Sequence, residues 1–484
     1  MKKVWATLQT FGVLVGLWVI LAVVGILTGA VPIEGLRPQV SLGDEPEEEA
    51  DADAGVDSIA EAEADAGTEV AAQAADSGIE EAPTLAQPVD GPEAETEEAS
   101  ATEAERWAVC PSTDAEPSLA IADVFGDARP EIVVGCPNGW HVLGLTSRGP
   151  QRIAVFSIAP SPAEQRARVG RAAFGDVDGD ATVDLVLPLA FESAAGATRG
   201  GGLWWVPRDG FGGIREPVAL APIAAVDVAI APLDGSAGAE IVAMNRTNAL
   251  AQLPSEAWVF GGGPAPARSA ALVLGLGGAM VQLGDLDRDG QTDVVALSRG
   301  RIDLHFGDGT GFPRSHRFDL AGAREIALGD VDGDGGGDLV VLGEGVRWIR
   351  AGSLEGMEPR GVDGVPATLR GLQVLDVNGD GKVDLTGWDH PRLVVLEHTG
   401  EVDFVPRDAL TLSGGPFGPR RHRIVDLDHD DQADDVALLG TTSGEGAQLE
   451  LVLVTDALDG AAIAPAGEAR DVPNAPLVLR AHLH

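Results

Sequence analysis

The chain has 484 residues, with 76 acidic and 33 basic side chains and a net charge of −43. That balance excludes a nucleic-acid binder, which needs a basic surface to release counterions from phosphate, and it excludes docking on an anionic membrane surface. The length allows several domains or one large repeat array, and an apolar content of 44% is enough for a packed core.

Residues 1–33 open with Lys2 and Lys3, then run almost wholly apolar from Phe11 to Ala30, with no further charge before Glu34. The run is long enough to cross a bilayer, and its flanking charges orient the N terminus inward. It exceeds the usual apolar stretch of a signal peptide, so an uncleaved anchor is expected, with cleavage after Thr28-Gly29-Ala30 as the alternative. In the first case the protein is a single-pass membrane protein with its C-terminal domain extracytoplasmic, in the periplasm or at the cell surface. In the second it is secreted.

Residues 34–105 form an acidic linker. From Asp44 to Glu105 there are 22 Asp or Glu and no Lys or Arg. Self-repulsion and scattered Gly and Pro oppose helix, and too little is apolar to fund a core, so a disordered, charge-extended tether is expected. Fully stretched it would span about 250 Å.

From 106 to 484 a single pattern recurs. "GDVDGDATVDLVLPL" places carboxylates at Asp176, Asp178, Asp180 and Asp184. The same offsets hold Asp285, Asp287, Asp289 and Asp293; Asp330, Asp332, Asp334 and Asp338; Asp376, Asn378, Asp380 and Asp384; and Asp426, Asp428, Asp430 and Asp434. Two weaker copies keep Asp123, Asp127 and Glu131, or Asp234 and Glu240. The starts fall at 123, 176, 232, 285, 330, 376 and 426, a period near 50. Each loop is followed by a Val/Leu/Ile-rich run and further short apolar runs bounded by Gly, Pro and Asp, which read as strands. Seven units of three or four strands predict an all-β, seven-bladed β-propeller; a β-solenoid is the alternative, but solenoid repeats are shorter. The tail "NAPLVLRAHLH" is a further strand that would help close the ring.

A single D-x-D-x-D-G loop is often just a turn. Five complete copies are harder to explain that way, because like charges about 4 Å apart repel by about 1 kcal/mol even in water. A divalent cation reverses that term. All-oxygen donors on a flexible loop suit Ca²⁺ better than the strict octahedron of Mg²⁺. The expected ligands are the side chains at the first, third, fifth and ninth positions and the backbone carbonyl of the seventh, namely Thr182, Gln291, Gly336, Lys382 and Gln432. An EF-hand would need Glu at position twelve, where this chain has Leu187, Ala296, Val341, Gly387 and Ala437.

With "FGD" at 174–176 and "LHFGDGTGF" at 304–312, the repeats resemble the FG-GAP/VCBS family found in the N-terminal propeller of integrin α-subunits and in many secreted bacterial proteins. The resemblance spans about residues 107–484. It implies a seven-bladed propeller, structural Ca²⁺ at about five hairpin loops, and ligand recognition through other loops. The loops at 123 and 232 depart from the pattern, which leaves metal there open.

Cys110 and Cys136 are the only cysteines, and in an exported chain they are expected to pair, with two buried thiols as the alternative. Trp107, Trp140, Trp204, Trp205, Trp258, Trp348 and Trp388 fit packing between blades more readily than a sugar-binding face. Asp389, His390, His422 and His429 form no recognisable catalytic motif, and neither H-E-x-x-H nor G-x-S-x-G occurs. The function expected is binding or adhesion to a protein or glycan. A propeller lyase or hydrolase and a structural envelope scaffold are the alternatives.

Overall fold

The computed structural model describes residues 102–103, 106–111 and 116–483, apart from short stretches at 160–164, 194–197, 210–212, 248–251, 351, 353–358, 401–402, 413–417, 431, 443–446, 460 and 465–468. The expected anchor at 1–33 and nearly all of the acidic linker lie outside the described residues. Among the described residues no helix is long and apolar enough to cross a membrane.

The strands form seven sheets, each built on an antiparallel meander, which follow one another along the chain as the blades of a propeller. The innermost strands are Ser118–Ala122, Gln165–Val169 with Ala173–Gly175, Ala225–Ala231, Met280–Gly284, Glu325–Gly329, Arg370–Leu375 and Gly418–Val425. Each is followed by its acidic loop and then by a second strand that is buried along its whole length in Glu131–Cys136, Asp293–Ser298 and Asp338–Leu342 and all but its last residues in the others. Such a strand is covered on both faces by neighbouring blades, which is why its sequence is a continuous apolar run. Outer strands such as Arg268–Val273 and Arg314–Asp319 alternate instead, with one face turned to water.

Seven apolar clusters fill the seams. Val133, Trp140 and Phe156 of blade 1 pack with Leu185, Leu187 and Trp204 of blade 2. The last seam joins Ala437, Leu439 and Leu451 of blade 7 to Leu119, Ile132 and Val134 of blade 1, closing the ring. Burying one such aliphatic or Phe side chain stabilises by about 1.5–3 kcal/mol, so the seams outweigh any single loop interaction. Six of the seven tryptophans in this region are buried in these seams. The seventh, Trp258, is half-buried beneath the Arg268 guanidinium, 4.2 Å from the ring centroid.

Both ends of the ring take part in its closure. Arg106–Pro111, from ahead of blade 1, pairs antiparallel with Gln448–Val454 as the fourth strand of blade 7. The tail Asn474–Leu483 adds parallel to Gly149–Ile158 outside blade 1. Cys110 and Cys136 are joined as a disulfide, Cα atoms 6.4 Å apart, linking the fourth strand of blade 7 to blade 1. Arg152 holds the two ends together. It donates from Nη2 to the Val109 carbonyl (2.9 Å), from Nη1 to the Val472 carbonyl (3.3 Å), and from Nε to His141 Nδ1 (3.0 Å). Burial and the Arg152 charge lower His141 to about 4, so it stays a neutral acceptor.

One polar contact recurs in every blade. A buried carboxylate at the head of the second strand reaches back and accepts the amide of the loop residue that follows the first position. Val177 donates to Asp184 (3.1 Å), Leu286 to Asp293 (2.7 Å), Val331 to Asp338 (3.0 Å) and Val377 to Asp384 (3.1 Å). Val124 donates to Glu131 (2.9 Å), Leu233 to Glu240 and Leu427 to Asp435. In five blades the other oxygen accepts an amide at the end of the third strand or just beyond it: Arg208 (2.8 Å), Gly262 (3.4 Å), Gly307 (2.8 Å), His398 (2.8 Å) and Asp456 (3.0 Å). One carboxylate thus brackets two turns that would otherwise bury unsatisfied amides.

Two outcomes are expected. Replacing Cys110 and Cys136 together by Ser should cost about 3–4 kcal/mol on the chain-entropy model, read as a lower denaturation midpoint that reduced wild type reproduces. The second concerns Glu131, which burial raises to about 7, against the pull of the Val124 and Phe125 amides. Its folded value lies above the ~4.3 of a free glutamate, so folding takes up a proton between the two, and stability present at low pH is lost as pH rises through about 7. Melting measured from about pH 6 to about pH 8 should fall more steeply for wild type than for Glu131→Gln; equal slopes would count against a buried, ionising Glu131.

Candidate metal-binding loops

The acidic loops share a backbone as well as a composition. The first-position carboxylate accepts amides from its own loop: Asp176 from Gly179 (2.7 Å), Asp180 (3.0 Å) and Ala181 (2.9 Å), and Asp376 from Gly379 (2.8 Å) and Gly381 (2.8 Å). Wrapping the amides round one oxygen pair requires left-handed residues at the fourth and sixth positions, as at Gly333 and Gly335 or Gly379 and Gly381. Where Arg288 (φ 64°) and His429 (φ 67°) take that place, the backbone carries about 1–2 kcal/mol of strain each. At the fifth position the carboxylate accepts the amide of the seventh residue: Thr182, Gln291, Gly336, Lys382 and Gln432 all donate to it at 2.9–3.1 Å. The position-twelve residues Leu187, Ala296, Val341, Gly387 and Ala437 are buried within the second strands, so no twelfth ligand is offered.

Three carboxylates converge, with oxygens within 4.8 Å of one another, in four of the five complete loops. In blade 2 they are Asp176, Asp178 and Asp184; in blade 4, Asp285, Asp287 and Asp289; in blade 5, Asp330, Asp332 and Asp338; in blade 7, Asp426, Asp428 and Asp430. Blade 6 has Asn378 at the third position, and its side chain donates to Glu397 (3.1 Å). The blade 7 loop is one residue longer than the others. Asp435, not Asp434, takes the bracket position there, while Asp434 groups with Asp430 and with Asp456 from the loop after the third strand. The adjacent acids in "HDDQADD" concealed that shift, and Asp456 has no counterpart in the repeat.

Arginines already meet some of this charge. Arg314 pairs with Asp287, Arg288 of the blade 4 loop crosses to Asp334 of blade 5, and Arg350 pairs with Asp332 (2.5 Å) and Asp334 (2.8 Å). Partial burial opposes it, but hydrogen bonds from Arg288 and Arg350 hold the Asp334 carboxyl well below the usual range. Partial burial and the neighbouring Asp180 push Asp178 up instead, and burial raises Asp293 to about 6. A cation in blade 5 must therefore share its carboxylates with two guanidinium groups. The blade 2 cluster carries no arginine ion pair among the described residues, and its all-oxygen donor set is of the kind that suits a hard divalent cation.

The residues considered for catalysis have these surroundings. Asp389 pairs with Arg392 (3.5 Å) and accepts the Thr368 hydroxyl. His422 is buried, and burial with the adjacent Arg423 and Arg421 lowers it to about 3. The His429 amide donates to Asp426 within the blade 7 loop.

Residues 285–341 match the FG-GAP-like repeat family; they span the blade 4 loop and its three following strands, then the inner strand and loop of blade 5. No curated protein matches the sequence. Among solved structures, an Agrocybe aegerita lectin that recognises non-reducing terminal N-acetylglucosamine is similar at 15% identity, over 69% of this chain and 94% of the lectin, with a TM-score of 0.45. The Dos1 propeller is similar at 8% identity, over 77% and 97%, with a TM-score of 0.43. The exotype rhamnogalacturonan lyase YesX is similar at 12% identity, over 75% of each chain, with a TM-score of 0.37. The chain is a seven-bladed β-propeller in which residues 285–341 match the FG-GAP-like repeat family.

Proposed function

We propose that this chain is a membrane-anchored, extracytoplasmic binding module, its propeller stabilised by Ca²⁺ in the acidic hairpin loops and its partner, a protein or glycan, recognised through other loops. The observation that carries the calcium reading is the convergence of three carboxylates in each of four loops. Like charges about 4 Å apart on these solvated loop tips repel by about 1 kcal/mol a pair, and a divalent ion converts that repulsion to attraction. The metals are structural in this reading, because each sits in the same hairpin of its own blade rather than around one shared site. Binding rather than catalysis is supported by the state of the carboxylates around the central cavity. Glu116 pairs with Arg421 (2.9 Å), Asp227 pairs with Arg171 (3.8 Å), and Glu325 accepts the Leu372 amide (2.8 Å). The run of apolar residues behind Lys2 and Lys3 supports the anchor, and the linker gives the propeller reach from it.

Melting the full chain in detergent with calcium and with chelator tests this. A cation at 100 times its dissociation constant adds about 2.7 kcal/mol per site, so the midpoint should drop clearly in chelator. Asp178→Asn combined with Asp180→Asn should reduce the calcium-dependent increment while leaving the chelated midpoint almost unchanged. Identical melting with and without calcium would contradict the proposal.

A further inference from the structure

All seven inner strands run the same way, so the acidic loops leave from one end of the central channel and the opposite end is built from the strand starts. A cavity of about 1020 Å³ opens there and runs along the inner strands, with residues from every blade. In a chain of net charge −43, its wall holds seven arginines against three carboxylates.

Three of those arginines are paired. Arg421 meets Glu116, Arg171 meets Asp227, and Arg168 lies 3.7 Å from Glu192. The other four have no carboxylate at ion-pair distance among the described residues. Arg324 donates only to the carbonyls of Gly343, Ala367 (3.2 Å) and Leu369 (2.7 Å). Arg420 reaches the Thr441 hydroxyl (3.3 Å), and Arg423 reaches the His422 carbonyl (2.9 Å). Arg370, at the start of the blade 6 inner strand, is exposed. Two buried donors on this wall, Arg324 Nε and Gln373 Nε2, have no hydrogen-bond partner among the described residues. Like charges are also crowded here. Burial, with the guanidinium groups of Arg171 and Arg421, lowers Arg423 to about 9.

We propose that this end of the channel binds a small, multiply charged oxyanion, a polycarboxylate or a phosphate ester. Guanidinium groups present paired donors that match carboxylate and phosphate oxygens, and four of them without a carboxylate partner around one cavity can engage more than one anionic group. The surplus of acid elsewhere does not forbid this, because at physiological salt charges beyond about 8 Å are largely screened. The site is distinct from the acidic loops and does not depend on calcium in them.

The test is calorimetric titration of the full chain in detergent with tricarballylate and, separately, with fructose 1,6-bisphosphate. Both are run free of divalent cations, so failure here leaves the calcium reading untouched and failure of that reading leaves this one untouched. Wild type should bind at least one probe saturably, and more weakly as NaCl is raised; the probe that binds distinguishes carboxylate from phosphate. Arg370→Gln with Arg423→Gln should weaken binding by about tenfold or more, while Arg268→Gln, on an outer strand of blade 3, should bind as wild type. If the double variant does not melt cooperatively, Arg370→Gln alone, at an exposed side chain, carries the comparison. No saturable binding of either probe, unchanged affinity in the channel variants, or an equal loss in Arg268→Gln would overturn the proposal.

Discussion

The buried carboxylate at the head of each second strand is the constraint on which the rest of this propeller depends. A blade needs a sharp hairpin between its inner and second strands, and that hairpin buries amides that no ladder can pair. In every blade one Asp or Glu accepts such an amide, even in blades 1 and 3, where the acidic pattern is incomplete and Glu131 and Glu240 take that place. The longer glutamate side chain serves the same place. Desolvating a carboxylate is unfavourable, as the raised values of Asp293 and Glu131 record; the amides it satisfies offset that cost.

The repeated acidic signal therefore has two separate physical meanings. The acid at the head of the second strand, ninth in six blades and tenth in blade 7, holds the backbone and is present in all seven blades. The first-, third- and fifth-position acids crowd charge at the loop tip, and the chain answers that charge differently from blade to blade. Blade 2 leaves its cluster without an arginine ion pair among the described residues. Blades 4 and 5 place arginines on theirs, one of them crossing between blades. A cation and an arginine are alternative ways to offset the same repulsion, so the loops form a graded series rather than five equivalent sites. At the other end of the channel the imbalance is reversed, with guanidinium groups in excess.

Much of this was legible in the sequence because it is local. The acidic offsets, the period near 50 and the apolar run after each loop are short-range demands of a hairpin, and they located all seven blades. The two cysteines and the tryptophans also behave as their types suggest. What stayed hidden is what ring closure brings together. Arg106–Pro111 joins a sheet whose other strands begin more than 300 residues later. Arg288 meets Asp334 only because consecutive loops adjoin, and the channel arginines lie scattered from 168 to 423 with no motif to join them. The extra residue in the blade 7 loop was masked because either Asp434 or Asp435 satisfies the pattern, and only the strand register chooses.

The division between bracket and cluster is tested most directly in blade 4, in calcium-free buffer, by comparing the unfolding free energies of Asp293→Ala and Asp289→Ala. Asp293→Ala strands the buried amides of Leu286 and Gly307 and should cost about 1–3 kcal/mol for each. Asp289 is exposed at the loop tip, and its loss should change stability by no more than about 1 kcal/mol. Equal losses, or the larger loss at Asp289, would contradict the account.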